Sequence, residues 1–312
     1  MKPKVYIDGK EGTTGLQIYE RLGSRDDIEL LLIDPEKRKD PIERKKLMDA
    51  SDIVFLCLPD AAAVEAVKLV ENPNTRIIDA STVHRTNPNW VYGFPELSSE
   101  QRETIKTAKR LANPGCHATG FLAGCAPLVK LGIMPNDYPV TAYSLTGYSG
   151  GGKKMIAQYE DENVTDEFKA PRIYGLDLHH KHLPEMQKIA GLAYPPVFCP
   201  IVDDYYKGMA TVIMLNNRLL NGHPCTIEIY EALKEFYKGQ KLVKVKEFGS
   251  NEKLLSANSL AGKDYLEITV TGSDAQTIIT SRFDNLGKGA SGAAVQNMNL
   301  MLGFEETKGL SL

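Results

Sequence analysis

The chain lacks a disulfide framework, a long apolar run and a surplus of charge of either sign. Its five cysteines are scattered, without disulfide-like spacing or a Cys-x-x-Cys pair, so a reducing compartment is expected. No apolar run is long enough to cross a membrane and the first residues form no apolar signal core, so we expect neither membrane spanning nor secretion. The formal charge of −3 argues against a nucleic-acid-binding protein. We therefore predict a cytoplasmic protein.

Length and composition are those of an ordinary folded protein. The 312 residues, of which 42% are hydrophobic and 25% charged, suffice to bury a large core in two domains or in one large one. Neither an internal repeat nor a low-complexity linker divides the chain. The order of predicted strands and helices is therefore the feature that indicates domain boundaries.

Strands and helices alternate over the first third of the chain. The predicted strands are 4–8, 28–33, 52–58 and 76–79, and the predicted helices are 16–22, 41–50 and 61–71. Such alternation predicts a parallel sheet with right-handed crossovers. We predict that residues 1–115 form an α/β, Rossmann-type nucleotide-binding domain, completed by a helix within about residues 290–312.

A glycine-rich turn, with Gly9, Gly12, Thr13, Thr14 and Gly15, follows the first strand. Strand, glycine turn and helix in this order place backbone amides and a helix N-terminus against a phosphate. The spacing Gly-x-x-Gly-x-x-Gly differs from the commoner dinucleotide pattern, so a plain tight turn is the alternative. We predict that these five residues bind a dinucleotide.

Further cofactor contacts are expected just beyond the strand ends. Pro59 and Ser81 follow the third and fourth strands, at the edge of a parallel sheet where ligands bind. Asp34 ends the second strand, where an acidic residue can meet the adenosine ribose and favours NAD.

The cations Lys37, Arg38 and Lys39 follow Asp34 closely. They lie within a short loop's reach of the same ribose, and arginine can hold a phosphate with two parallel hydrogen bonds. Simple solvation of a loop is the alternative. We predict NADPH, because one carboxylate can rotate away while three clustered cations keep a persistent positive field.

The segment 113–120 joins a predicted strand, 110–112, to a predicted helix, 118–129, that begins near Cys116. A thiol there meets unpaired amides and the positive end of the helix dipole, which favour the nucleophilic thiolate. The same amides could stabilise an oxyanion, and Gly115 allows a close approach. The alternative is a buried, small apolar cysteine behind an ordinary turn.

The pattern changes after this helix. Predicted elements are strands 139–146, 197–202, 209–215, 225–229 and 265–271, a loop 147–154, and helices 230–237 and 289–302. Longer alternating strands with fewer helices between them predict a mixed or antiparallel sheet. We predict a second, α+β domain over residues 116–289 and expect the last helix to pack on the first domain.

Three of the six histidines lie within residues 179–182. Pro184 fits the first turn of a helix, so His180 and His182 would lie in an extended segment with both side chains on one face. Either could exchange protons in a thiolate reaction. Surface polar residues and a zinc pair are the alternatives, but zinc needs a third ligand, for which residues 203–204 could be argued. We predict no metal.

Two glycine-rich segments are candidate anion sites. The loop 147–154 offers backbone amides, a serine and a lysine to a phosphate or carboxylate, with a mobile surface loop as the alternative. The segment 282–292 offers similar groups or simply leads into a helix. The predicted substrate contacts are Ser149, Gly150, Lys153 and Arg282, and the predicted cofactor contacts are Asn285 and Gly289.

Together these segments resemble the N-acetyl-γ-glutamyl-phosphate reductase family, in its shorter form, across essentially the whole chain. The matching segments are 9–15, 57–60, 113–116, 180–185 and 284–290. The resemblance implies NADPH-dependent reduction of N-acetylglutamyl 5-phosphate to the 5-semialdehyde, with phosphate release, in arginine biosynthesis. It also implies the fold of aspartate-semialdehyde and glyceraldehyde-phosphate dehydrogenases, and a cytoplasmic homotetramer or homodimer in which residues 116–289 serve catalysis and oligomerisation.

The resemblance further implies residue roles. Cys116 would form a thioester with the acyl group, His182 or His180 would transfer the proton, and Asn113 would steady the oxyanion with backbone amides. One departure stands out: longer members carry Ser-Gly-Ala-Gly-Arg where this chain has residues 149–153, ending in Lys153. Lysine lacks the planar fork of arginine, which leaves open how the substrate anion is held.

Two other functions fit parts of this pattern. A neighbouring reductase, acting on aspartyl phosphate or an aminoadipate-type acyl phosphate, would keep the thiol and the nucleotide domain and change only the pocket. A nucleotide-sensing protein without catalysis would keep residues 9–15 but would not need Cys116 or His182.

Overall fold

The computed structural model describes residues 1–250 and 252–312. The chain divides into two compact units. The first consists of Met1–Pro114 and Ala290–Leu310, and the second of Gly115–Gly289 and Ser311–Leu312. The chain therefore passes into the second unit after Pro114, returns to the first at Ala290, and has its last two residues in the second.

The regular elements are numbered in chain order. The strands are β1 (Lys4–Asp8), β2 (Glu29–Leu31), β3 (Ile53–Leu56), β4 (Arg76–Asp79), β5 (Val91–Tyr92), β6 (Arg110–Ala112), β7 (Thr141–Gly147), β8 (Arg172–Ile173), β9 (Val197–Asp203), β10 (Met209–Asn216), β11 (Val243–Val245), β12 (Leu266–Gly272) and β13 (Gln276–Phe283). The helices are α1 (Thr13–Gly23), α2 (Pro41–Asp49), α3 (Asp60–Leu69), α4 (Ser99–Thr107), α5 (Cys116–Lys130), α6 (Gly152–Tyr159), α7 (Leu183–Ala190), α8 (Thr226–Phe236) and α9 (Gly292–Leu302).

The first unit is a parallel sheet between two helical layers, which confirms the predicted Rossmann-type α/β fold. Its strand order is β2-β1-β3-β4-β6-β5, and neighbouring strands are parallel. Val5 and Ile7 pack with residues of α1, α4 and α9, whereas Tyr6 packs with residues of α2 and α3, because successive strand residues face opposite sides. β2 lies on one side of β1, and β3, the next strand along the chain, lies on the other side. The direction in which strands are added therefore reverses at β1, which makes the edge beside β1 the topological switch point where ligands bind.

The last helix belongs to the core of the first unit. Ala294, Val295 and Met298 of α9 are at most 1% exposed and pack with the apolar side chains of β1, β3 and β4. Burial of side chains of this size contributes roughly 1.5–3 kcal/mol for each of the larger ones. The end of the chain therefore stabilises its beginning.

Element bounds in the first unit differ from the predicted ones near turns. Helix α1 begins at Thr13, three residues before the predicted start at residue 16. Strand β2 ends at Leu31 rather than at residue 33, because Pro35 opens a short 3₁₀ turn, Pro35–Lys37. Asp34 caps this turn by accepting a hydrogen bond from the Glu36 amide at 3.0 Å.

The second unit is built on a mixed seven-stranded sheet in the order β11-β12-β13-β10-β7-β9-β8, which confirms the predicted α+β class. The pairs β7–β9 and β11–β12 are parallel and the other neighbours antiparallel. Helix α5 lies on one face of the sheet. A Cβ on Gly120 would come within 2.3 Å of Thr211 Oγ1 and 2.8 Å of Phe283 Cε1, so the helix approaches this closely only because residue 120 has no side chain.

Two predictions for this unit were wrong. Residues 225–229, predicted as a strand, begin helix α8, because Cys225 and Glu228 form a reciprocal capping box. The predicted glycine-rich loop 147–154 is a 3₁₀ turn, Tyr148–Gly151, followed directly by α6. Tyr148 stacks on Tyr159 at 4.6 Å between ring centroids and so closes this segment on itself.

Candidate active site

Cys116 is the first residue of α5, as the sequence predicted. The residue before it, Gly115, is the N-cap with extended backbone, and its amide donates to Glu185 Oε1 at 2.8 Å. The Gly115 carbonyl accepts from the amide of Thr119 at 2.8 Å. Glu185, on α7, is only 2% exposed, so a buried carboxylate anchors the start of α5. Cys116 itself is partly buried, at the positive end of the helix dipole, which favours a thiolate.

Gly289 also lies beside the cysteine. A Cβ at this position would be 3.0 Å from Cys116 Cβ and 3.1 Å from the Phe283 ring. A larger residue would therefore displace the nucleophile. The structure gives Gly289, predicted as a cofactor contact, a packing reason to be glycine.

His180 and His182 come together through a turn and not through an extended segment, so that part of the prediction was wrong. The Leu183 amide donates to the His180 carbonyl at 3.0 Å, and His182 has helical backbone angles, φ −89° and ψ −6°. The two rings are nearly perpendicular, with centroids 4.8 Å apart. The proline at position 184 does occupy the first turn of a helix, α7.

The two histidines differ in their hydrogen bonding. The His182 amide donates to His180 Nδ1 at 3.2 Å, so that nitrogen is an acceptor and the ring proton of neutral His180 lies on Nε2. Burial, with a smaller effect from the charge of Lys181, lowers the pKa of His180 to about 4. His180 is therefore neutral near pH 7.

A third histidine, His117, completes this group and was missed in the sequence. It follows Cys116 directly on α5 and is only 3% exposed. Its Nδ1 lies 2.9 Å from Ser144 Oγ, and its Nε2 lies 2.7 Å from the hydroxyl of Tyr174. Burial, then the charges on His180 and Lys181, lowers the pKa of His117 to about 3. Its place beside a candidate nucleophile was the available signal.

Tyr174, also missed in the sequence, is the other new side chain at this site. Burial, and then the charge of Cys116, raises the pKa of Tyr174 well above its usual range, so it is a neutral phenol. No local pattern marks it, because it lies in a connection between β8 and α7 and meets His117 only through the fold.

The predicted substrate loop has only part of its side chains exposed. Ser149 is 1% exposed, and its Oγ accepts a hydrogen bond from the Asn285 side-chain amide at 3.0 Å. The other end of that amide, Asn285 Oδ1, accepts from the Gly208 backbone at 2.8 Å. Both side chains thus hold the segment together, whereas Gly150 and Lys153 are exposed.

Arg282, predicted to bind substrate, is not brought to the cysteine. It pairs with Glu267 at 2.5 Å and with Glu252 at 3.4 Å, and it is 3% exposed. Because Phe283 contacts α5, its neighbour Arg282 points to the opposite face of the sheet. The structure therefore places this arginine in a buried ion-pair network, away from Cys116.

The glycine turn of the first unit has the shape that the sequence predicted. Gly9 has φ +83°, and a Cβ there would lie 2.4 Å from the Cys57 carbonyl oxygen. A Cβ on Gly15 would lie 2.4 Å from the Gly9 carbonyl oxygen. Helix α1 then starts at Thr13 with Gly12 as its N-cap, which has no side chain to cap it, so the first amides, including that of Thr14, can face a phosphate.

The residues beyond the other strand ends have varied surroundings. Pro59 is the N-cap of α3. Ser81 donates from its hydroxyl to Asp79 Oδ2 at 2.6 Å, and His84 Nδ1 lies 2.6 Å from the same oxygen. The His84 ring stacks on Trp90, with centroids 4.0 Å apart. The Ser81 amide also donates to Asp79 Oδ1 at 3.0 Å, so both the hydroxyl and the amide of Ser81 hold this buried cluster.

The acidic and basic residues after β2 lie on the surface. Asp34 uses one carboxylate oxygen for its cap, and Lys37 Nζ lies 3.9 Å from Glu43. Arg38 and Lys39 are exposed. All four charged side chains therefore lie exposed in or beside the 3₁₀ turn.

Asn113 is held firmly inside the first unit. Its Nδ2 donates to the Ala290 carbonyl at 3.0 Å, and its Oδ1 accepts from Asn297 at 3.2 Å. Its own carbonyl accepts from Arg85 Nε at 3.0 Å. One of the two amide hydrogens of Asn113 is therefore already committed.

Within residues 1–250 and 252–312, no three His, Cys, Asp or Glu side chains are grouped so as to hold a metal ion. In the same described part of the chain, no helix has the length and apolar character to cross a membrane.

Known proteins match the chain along nearly its whole length. The family model of the semialdehyde dehydrogenase dimerisation domain matches residues 116–285, and that of the semialdehyde dehydrogenase NAD-binding domain matches residues 33–108. N-acetyl-gamma-glutamyl-phosphate reductase 2 of Nostoc sp. is 47% identical over 321 residues, covering 99% of both chains. The N-acetyl-gamma-glutamyl-phosphate reductase of Brucella ovis is 48% identical over 309 residues, covering 97% of this chain and 100% of its own.

The fold itself recurs in a more distant protein. The crystal structure of aspartate semialdehyde dehydrogenase II from Vibrio cholerae, complexed with ASA, has a TM-score of 0.73 at 15% sequence identity. The match covers 97% of this chain and 98% of that one. At this identity the likeness establishes the fold alone.

Proposed function

Because the chain belongs to the N-acetyl-γ-glutamyl-phosphate reductase family, we propose that it reduces N-acetyl-L-glutamyl 5-phosphate to N-acetyl-L-glutamate 5-semialdehyde with NADPH, releasing phosphate, in arginine biosynthesis. The structural observation that carries this proposal is the thiol of Cys116 at the anchored N-terminus of α5. A nucleotide-sensing protein would have no use for a thiol in that position.

Acyl transfer starts at Cys116. The thiolate attacks the carbonyl carbon of the acyl phosphate, the bond from that carbon to the phosphate oxygen breaks, and phosphate leaves with the electron pair. A thioester remains on the sulfur. Backbone amides in the first turn of α5 steady the oxyanion of the tetrahedral intermediate, and Asn113 is kept as a second donor through its remaining amide hydrogen.

The first unit fits a dinucleotide. NADPH, when bound, supplies the hydride that converts the thioester to the aldehyde. A Cβ at Gly9 or Gly15 would lie 2.4 Å from a backbone carbonyl oxygen, so both glycines are needed for this tight turn, and the amides of Thr13 and Thr14 open α1 toward a phosphate. Asp34, Lys37 and Arg38 are proposed to meet the adenosine ribose and its 2′-phosphate, with Pro59 and Ser81 farther along the same edge.

We assign the proton transfer to His182 rather than to His180. The Nδ1 of His180 accepts a backbone hydrogen bond, and its pKa is lowered to about 4, so His180 is a poor proton donor near pH 7. His182 lies next to it at the start of α7. Its protonated ring would give the proton to the hemithioacetal oxygen or to the departing sulfur.

The substrate carboxylate and phosphate need cations or amides. Lys153 is exposed in the first turn of α6, where its charge and the helix amides act in the same direction on an anion. We propose Lys153 and the Gly150 amide for this contact. Arg282 is not retained, because its charge is neutralised by Glu267 and Glu252 on the other face of the sheet.

We also propose a cytoplasmic homo-oligomer, a dimer or tetramer, assembled through the second unit. Ile278, Met214 and Val197 lie in one row across β13, β10 and β9, with Thr141 of β7 between the last two. These apolar side chains are 38–56% exposed on the face opposite α5. A second copy of the chain would bury them, in agreement with the dimerisation-domain model over residues 116–285.

The reaction run in reverse on purified protein tests the activity. We expect phosphate-dependent reduction of NADP with N-acetylglutamate semialdehyde, followed at the absorbance of NADPH, and little with aspartate semialdehyde. A preference for aspartate semialdehyde would identify a neighbouring reductase. Absence of turnover with both aldehydes, together with NADPH binding, would favour a nucleotide-binding protein.

A further inference from the structure

A chain of four hydrogen-bonding side chains runs from the sheet of the second unit to the cysteine helix. Thr211 Oγ1 lies 3.0 Å from Ser144 Oγ, Ser144 Oγ lies 2.9 Å from His117 Nδ1, and His117 Nε2 lies 2.7 Å from the Tyr174 hydroxyl. Thr211 and Ser144 are fully buried, at 0% exposure. The chain thus has a closed end under α5 and an open end at Tyr174.

The closed end decides in which direction the hydrogens point. The hydroxyl of Thr211 has no hydrogen bond within the described residues other than the one with Ser144. If Ser144 donated to Thr211, the Thr211 hydrogen would be buried without an acceptor, which costs roughly 1–3 kcal/mol. Thr211 therefore donates to Ser144, and Ser144 donates to His117 Nδ1.

This direction fixes the tautomer of His117. With Nδ1 as the acceptor, the ring proton lies on Nε2 and is donated to the Tyr174 oxygen. The ring cannot easily turn, because it packs edge-on against His180 at 5.1 Å and against Phe198 at 5.3 Å between centroids. The hydrogen of the Tyr174 hydroxyl is then left for another acceptor.

We propose that His117 is a positioning residue for acyl transfer, which holds the Tyr174 hydroxyl with its hydrogen free for the Cys116 sulfur or the substrate carbonyl oxygen. The effect of His117 on turnover is expected only if the proposed acyl-transfer function is correct. Its effect on the thiol does not depend on the identity of the substrate. The low pKa of His117, about 3, keeps the ring neutral and the direction of the chain fixed.

Two amide substitutions separate the two ring nitrogens. In His117→Gln, the longer side chain places its amide group near the position that Nε2 occupies in the wild type, so a donor to the Tyr174 hydroxyl is kept. In His117→Asn, the shorter side chain places it near Nδ1, which keeps only the bond to Ser144. We expect His117→Gln to retain kcat within about fivefold and His117→Asn to lose about 10- to 100-fold, with KM for NADPH unchanged in both.

Alkylation of Cys116 gives a readout that needs no substrate. In His117→Asn, the pH midpoint for reaction of Cys116 with iodoacetamide should rise by about 0.5–1 unit, because the Tyr174 hydroxyl is no longer held in place to donate to the thiolate. His223→Asn, a change at an exposed histidine of the same unit, is the matched control and should leave the midpoint in place. A wild-type midpoint together with wild-type kcat in His117→Asn would overturn the proposal.

A double-mutant cycle distinguishes positioning from a general packing role. If His117 acts through Tyr174, then Tyr174→Phe/His117→Asn should lose no more than Tyr174→Phe alone. Ser144→Ala provides the same test without changing the histidine: we expect a loss of a fewfold in the wild-type background and none in the Tyr174→Phe background. Additive losses in either cycle would show that these residues act independently, and would overturn the proposal even if the activity is as proposed.

Discussion

The nucleotide edge of the first unit, formed by residues 9–15, and the cysteine site of the second unit differ in whether the backbone or the side chains give the site its shape. At the nucleotide edge, the shape comes from the backbone: a left-handed Gly9 and the bare N-terminus of α1. At the cysteine site, side chains from α5, β7, the β8–α7 connection and α7 hold each other, as in the contact of Glu185 with the Gly115 amide. The first site requires that Gly9 and Gly15 carry no side chain, whereas the second depends on particular polar atoms.

This difference predicts different kinds of failure. A substitution at the nucleotide edge should weaken cofactor binding and leave the thiol chemistry intact. A substitution at the cysteine site should slow acyl transfer and leave cofactor binding intact. The Cys116→Ser and Gly9→Ala experiments therefore measure both properties.

The largest effect is expected from Cys116→Ser. A serine hydroxyl is far less ionised than a thiol near neutral pH, so kcat should fall by about 10³-fold or more. The dissociation constant for NADPH, from fluorescence titration, should stay within twofold of the wild-type value. Turnover close to the wild-type rate would end the thioester mechanism, and a large loss of NADPH binding would blur the contrast between the two sites.

Gly9→Ala should cause the next largest change, of the opposite kind. The left-handed backbone costs an alanine roughly 1–2 kcal/mol, and its Cβ would lie 2.4 Å from the Cys57 carbonyl oxygen, so we expect NADPH binding to weaken by about 100-fold. The rate of Cys116 alkylation should not change.

Gly12→Ala is the matched control for that substitution. Residue 12 has φ −74°, and the nearest atom to its Cβ is 3.4 Å away, so binding should weaken by no more than about fivefold. Equal effects at residues 9 and 12 would show that steric room is not what the turn requires.

The same contrast explains which features the sequence could predict. Backbone-defined sites depend on local order, so the strand, glycine turn and helix at residues 4–23 indicate a phosphate site without further information. Cys116 at a helix start is local as well. His117 and Tyr174 are brought together by β7 and the β8–α7 connection, and no spacing in the sequence encodes a contact between residues so far apart.

Two misread segments show the limits of local patterns. Residues 225–229, predicted as a strand, instead begin a helix, because Cys225 and Glu228 form a capping box there. Arg282 sits in a segment that reads as an anion site, yet strand alternation turns it to the face opposite α5. Which face of a strand points to a site follows from tertiary packing and not from the residue itself.

The free energy of unfolding at acidic pH should depend on the histidines of the cysteine site. The pKa of His117 is lowered from 6.5 to about 3, so between these values the unfolded chain binds a proton that the folded chain does not. The contribution of neutral His117 to the free energy of unfolding is therefore fully present above pH 6.5 and is lost as pH falls toward 3, at about 1.4 kcal/mol for each pH unit. His180, with a pKa lowered to about 4, adds a smaller term because it is partly exposed.

Urea unfolding at pH 7, 6 and 5 measures this slope. His117→Gln removes the titrating group, so the free energy of unfolding should fall less steeply below pH 6.5 than in the wild type. His223→Gln, at an exposed position, should retain the wild-type slope. An unchanged slope in His117→Gln would mean that other groups control acid unfolding.

The smallest effect is expected from the exposed cations near the nucleotide edge. Substituting Lys37, Arg38 and Lys39 together by serine should weaken NADPH binding by about tenfold and NADH binding by less than twofold, because exposed cations each add only a modest amount. Added salt should reduce the wild-type preference for NADPH toward that of the variant.

Asp34→Asn is the informative partner of that variant, because asparagine keeps the oxygen that accepts from the Glu36 amide at 3.0 Å while it removes the charge. If the carboxylate holds the ribose 2′-hydroxyl of NADH, the substitution should weaken NADH binding and leave NADPH binding equal or tighter. If Asp34 only caps the 3₁₀ turn, neither cofactor should change. Equal losses of both cofactors in the triple serine variant would contradict the role of the cations, and the choice between the cofactors would then rest with Asp34 and the backbone of the turn.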